Sequence, residues 1–103
     1  MYLNISLLEK SIMENKITEE KLKKYFDLTT NALEEIKKNI VKKEEAEEII
    51  KMASNYLSDA HYFKEKKDLI NAFASLNYAH GWIDSGVRLG IFDVHDNRLF
   101  TIR

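Results

Sequence analysis

His80, Asp84 and Arg88 follow one another at four-residue intervals, so on a helix the first two stand one above the other. A His/Asp cluster can bind a divalent metal. With Asn77 on the same flank, and Asp59 and His61 in a segment that would pack alongside, these residues could line a ligand pocket or a catalytic centre. The candidate polar site is therefore Asp59, Asn77, His80, Asp84 and Arg88. A simpler reading competes with it. His80 falls in the middle of an apolar face, where a ring nitrogen satisfied by a carboxylate would fix helix register. His61 projects about 200° around its helix from Asp59, so the ligands do not close a metal site. Arg88 can pair with Asp84 at i, i+4. On these residues no catalytic group, metal or cofactor is assigned.

The helix that must carry the cluster runs from Asp68 to Gly90 and holds the only Trp and all three glycines. Between Leu69 and Leu89 its only charged residues are Asp84 and Arg88. A surface helix carries one apolar stripe and one charged face, so this one is central. Leu69, Ala72, Phe73, Leu76, Ala79, Ile83 and Val87 share one broad face. Ala74, Tyr78, Gly81, Trp82 and Ser85 form a second, mixed one, with Ala74, Tyr78 and Trp82 as its interaction residues. Small residues there let another helix approach closely. The N-terminal helix or a second copy could occupy that face.

Two further long helices precede it. Thr18 caps the first, with Glu19 and Glu20 in its first turn, and Leu22, Tyr25, Phe26, Thr29, Leu33, Ile36 and Ile40 recur at three- and four-residue spacing. The second spans about Lys43 to Lys66, with Ala46, Ile49, Ile50, Ala53, Leu57 and Ala60 inward. Its short connection to the third makes the pair antiparallel. A capping box at Ser6–Glu9 predicts a short helix to about Asn15. Ile91–Val94 and Arg98–Ile102 predict a C-terminal β-hairpin. The expected fold is all-α: one domain over 1–103, an antiparallel three-helix bundle at about 18–90, and a tail at 91–103.

Composition narrows the function classes. Sixteen basic residues balance 17 acidic ones, net −1, so nothing global draws the chain to nucleic acid or anionic membrane. With no Cys there is neither a disulfide framework nor a thiolate nucleophile. No apolar run is long enough to span a bilayer. The chain reads as cytoplasmic. It has no phosphate loop, dinucleotide fingerprint or nucleophile elbow.

Four segments carry a resemblance. They are Ser58–Phe63 (SDAHYF), Asn71–Ala74 (NAFA), Asn77–Asp84 (NYAHGWID) and Gly86–Gly90 (GVRLG). Over about Thr18 to Val94 the chain resembles the domain of unknown function 357 family. The resemblance implies a compact helical bundle from an archaeal cytoplasm, and it implies no activity. Separately, Arg88 and His95, with six residues between them, are similar to the Arg/His pair of the HEPN ribonucleases, which would imply RNA cleavage. Gly90 ends the helix between the two, so the spacing fixes no geometry. The reading that follows is a non-enzymatic interaction or scaffold module that binds a second copy of itself or another protein, with neither membrane nor nucleic acid as partner. The alternative is a small-ligand, metal or RNA-processing site at His80, Asp84 and Arg88.

Overall fold

The computed structural model describes residues 16–100, so the short helix expected over Ser6–Asn15 lies outside the described residues. Three helices pack together: α1 (Glu19–Lys37), α2 (Lys43–Glu65) and α3 (Leu69–Arg88). Thr18 accepts a hydrogen bond from the Lys21 N–H at 3.0 Å and so starts α1. No side chain caps α2, and Glu44 and Glu45 meet its positive end instead. Between α2 and α3 the chain reverses through Lys67, whose φ of 63° is left-handed. The Asp68 N–H bonds the Phe63 carbonyl at 2.9 Å and the Lys67 N–H bonds that of Lys64 at 3.0 Å, which closes a Schellman motif. Asp68 then caps α3, accepting from the Asn71 N–H at 3.1 Å.

Small residues build the α2–α3 hairpin. Ala46, Ala53 and Ala60 recur every seventh residue on α2, as do Ala72, Ala79 and Gly86 on α3, and all six are buried. Each pair (Ala60 with Ala72, Ala53 with Ala79, Ala46 with Gly86) is equidistant in sequence from Lys66. The tight turn therefore sets the two rows against each other. Short side chains let the backbones approach closely, and larger ones interlock at the margins. Tyr56 and Tyr78 meet across the hairpin with ring centroids 5.4 Å apart.

Helix α1 lies along one side of this hairpin. Leu22 and Phe26 pack with Ala60, Ala72 and Leu76 near the α2–α3 turn. Leu33 and Ile36 pack with Ile49, Ile83 and the tail at the far end.

The tail departs from expectation. There is no strand among the described residues, and no hairpin forms in the described part of 91–103. Gly90, at φ 75°, ends α3 in a second Schellman motif, with the Ile91 N–H on the Gly86 carbonyl at 2.9 Å. The chain then pairs with the α1–α2 connection. The N–H groups of Val41 and Lys42 bond the Ile91 carbonyl, the Asp93 N–H bonds that of Asn39, and Ile40 bridges Phe92 in antiparallel fashion. Backbone groups that a hairpin would pair internally find partners in that connection instead. Phe92 lies over Gly86, where an added Cβ would stand 2.6 Å from its ring. Ile91, Phe92, Val94 and Phe100 are all buried, so the tail completes the core.

Lys67 holds a conformation that disfavours side-chain-bearing residues by about 1–2 kcal/mol. Lys67→Gly is expected to stabilise the chain by about 0.5–1 kcal/mol after the entropy cost of glycine in the unfolded state. Thermal denaturation checks this: the melting temperature should rise by roughly 2–8 °C. An unchanged or lower value would show that Lys67 is not strained.

Candidate functional site

His80 projects from the middle of α3 toward α1, and both its ring nitrogens are engaged. Nε2 lies 2.7 Å from the Leu99 carbonyl oxygen. A carbonyl only accepts, so Nε2 carries hydrogen and donates it. Nδ1 lies 3.1 Å from Thr29 Oγ1, and in the neutral ring the hydroxyl donates to it. One imidazole thus joins α1, α3 and the tail. Asp84 Oδ1 stands 3.8 Å from Nε2, beyond hydrogen-bond length, with the two side chains 18% and 26% exposed. The expected carboxylate partner of the ring is therefore a main-chain carbonyl.

The other members of the predicted polar site do not gather here. Asp59, Asn77 and Arg88 are exposed. His61, also exposed, stacks on Phe26 of α1 with centroids 4.5 Å apart. The expected i, i+4 pair of Arg88 with Asp84 is not among the ion pairs of the described residues, and the Asp84 carboxylate lies near His80. His95 pairs with Asp93 at 2.9 Å in the exposed tail, so the spacing it shares with Arg88 is not matched by a shared pocket. Among the described residues no three His, Asp or Glu side chains are grouped to hold a metal ion. Beyond His95, hydrogen bonds from the Arg98 side chain and backbone hold the Asp96 carboxyl below its usual range. They shape the turn that presents Leu99 and Phe100. The residues that complete the junction, Thr29 and Leu99, carry weak sequence signals. Thr29 is a hydroxyl inside an otherwise apolar stripe, and Leu99 contributes only its backbone.

A second feature lies on the opposite side of α3. Asn77, Tyr78, Gly81, Trp82, Ser85 and Leu89, with Ile49 of α2, line an open groove of about 440 Å³. Tyr78 and Leu89 are 62% and 66% exposed, and Ile70 on the same outer face is 72% exposed. Ala74 and Trp82 are half-buried. Asn77 thus belongs to the groove rather than to the histidine. A Cβ built on Gly81 meets nothing within 4 Å, whereas one on Gly86 meets the Phe92 ring.

A family model described as "Protein of unknown function (DUF357)" matches residues 24–92. The chain belongs to the DUF357 family. The span matched by DUF357 contains Thr29, His80, the Gly81 face and the Gly86–Phe92 contact, and it stops short of Leu99. No curated protein and no solved structure matches the chain. No helix of the described residues is long and apolar enough to cross a membrane.

If the imidazole is a structural junction, Thr29 and His80 must be energetically coupled. Thr29→Val and His80→Ala should each destabilise by about 1–3 kcal/mol, since each strands a buried polar partner. The double variant should fall short of their sum by about 0.5–1 kcal/mol. Urea denaturation of the four proteins measures this. Simple additivity would show that the hydrogen bond contributes nothing specific.

Proposed function

We propose that this chain is a non-enzymatic interaction module that self-associates through the outer face of α3, pairing as a homodimer. Gly81 carries the reading. A glycine inside a helix costs about 1 kcal/mol relative to alanine. Gly86 has an internal reason to be small, because Phe92 lies on it; nothing within the described chain approaches Gly81. A close-approaching helix from outside would supply that reason. The surroundings fit such a contact: Tyr78, Trp82 and Leu89 are gathered at one groove rather than scattered, and aromatic anchors beside small residues suit a packed interface.

The rival reading, a ligand, metal or RNA-processing centre at His80, Asp84 and Arg88, has less support. The imidazole nitrogens are already committed to Thr29 and Leu99. A cytoplasmic setting is proposed on the cysteine-free composition alone.

Light scattering on the full chain, from micromolar to submillimolar concentration, tests the proposal. The mass should rise toward that of a dimer. Gly81→Gln should remain monomeric over the same range with an equal or higher melting temperature, because glutamine favours the helix while filling the contact. A wild-type mass that never rises, or an association that Gly81→Gln leaves intact, would overturn it.

A further inference from the structure

The outer face of α3 carries a size pattern of its own. Ala74, Tyr78, Gly81, Trp82, Ser85 and Leu89 fall within about 100° of one another around the helix. Three of them are small and three are large, and their order mirrors size against size. About a midpoint between Gly81 and Trp82, Ala74 mirrors Leu89, Tyr78 mirrors Ser85, and Gly81 mirrors Trp82. Two identical helices laid antiparallel across that midpoint therefore set every large side chain against a small one. Parallel helices in register do the reverse: Trp82 meets Trp82 and Gly81 meets Gly81, which crowds one level and leaves a gap at the next.

Charge along the bundle selects the same orientation. The start of α1 and the α2–α3 turn meet at one end, where Ile17 and Leu22 cluster with Phe63 and Leu69, and Lys67 stands 3.7 Å from Glu19. Within residues 16–24 and 61–70, seven lysines stand against four carboxylates. Over the other described residues, seven basic groups stand against eleven acidic ones. Antiparallel pairing lays the lysine-rich end of each copy alongside the acidic part of the other, whereas parallel pairing brings the two lysine-rich ends together. Exposed charges are screened beyond about 8 Å at physiological salt, so they choose an orientation more than they supply affinity.

We infer that two copies pair antiparallel through α3, about a two-fold axis that passes between Gly81 and Trp82. This rests on the self-association reading for the existence of the pair and adds its geometry. Trp82 of each copy enters the space that the partner's Gly81 leaves open, and Tyr78 and Leu89 fill over Ser85 and Ala74 in the same way. The contact is isologous, so it closes at two copies and leaves no matching face for a third.

The chain has no cysteine, so introduced thiols report alone. A disulfide needs Cα atoms about 4.4–6.8 Å apart. In the antiparallel pair Ala74 lies level with the partner's Leu89, while the two copies of Ala74 stand about 22 Å apart along the axis. The full chain is made as Ala74→Cys and as Leu89→Cys, and each is oxidised mildly, alone and as an equimolar mixture, at a concentration where light scattering shows association. The mixture should give a disulfide-linked dimer on a denaturing gel, and neither variant alone should. Tyr78→Cys with Ser85→Cys, the mirrored pair nearer the axis, repeats the measurement. A variant that links to itself, or an associated mixture in which neither mirrored pair links, would overturn the antiparallel pairing and leave self-association standing. A wild-type mass that stays monomeric to submillimolar concentration would overturn the self-association reading, and the pairing with it.

Discussion

The close approach of α2 and α3 along two rows of small residues is what the rest of the molecule depends on. Five alanines and Gly86 leave no room for large side chains in the seam itself. Bulk must therefore sit at its two margins. On one margin Leu57, Leu76 and Ile83 meet Leu22, Phe26, Leu33 and Ile36 of α1. On the other, Tyr56, Tyr78 and Trp82 fill in beside the seam, and no described element covers them. The asymmetry that gives α3 an open face thus follows from placing one helix on a two-sided hairpin.

The end of the hairpin away from the turn is closed by the tail. Gly86 serves twice there: its missing side chain admits Phe92, and its carbonyl accepts the N–H of Ile91 as α3 ends. Farther along, His80 holds the Leu99 carbonyl while taking the Thr29 hydroxyl from the other side. A polar ring in an apolar setting is tolerated because each nitrogen has a partner. It also ties three chain segments that the hydrophobic effect alone would pack without a fixed register. Both nitrogens of the imidazole bond to neighbouring segments of the chain.

Much of this was legible in the residues. Caps and charge placement at Thr18, Glu19, Glu20 and Asp68 marked the helix starts, because those signals act within one turn. The antiparallel hairpin followed from its short connection. The seventh-residue recurrence of Ala46, Ala53 and Ala60 against Ala72, Ala79 and Gly86 is also written in the sequence; it becomes a seam once the turn is known to centre on Lys66. The tail was not legible. Its partners, Asn39 to Lys42, lie some fifty residues away, and an alternating apolar pattern does not say whether a segment pairs with itself or with a loop. The polar site was legible only in part. A helical wheel placed His80 and Asp84 together, and Ala74, Tyr78 and Trp82 on a separate face, because both are properties of one helix. It could not place Asp59 relative to them, nor show that Leu99 supplies a main-chain acceptor.

The central claim is the proposal that the outer face of α3 is covered in solution by a second copy of the chain. Tyr62 and Tyr78 offer an internal comparison, since they are 57% and 62% exposed in the described chain. Hydroxyl-radical footprinting of the full-length protein reads both in one experiment. Marked protection of Tyr78 relative to Tyr62, shared by Trp82 and Leu89, is the predicted result. Equal reactivity of the two tyrosines from micromolar to submillimolar concentration would contradict the account.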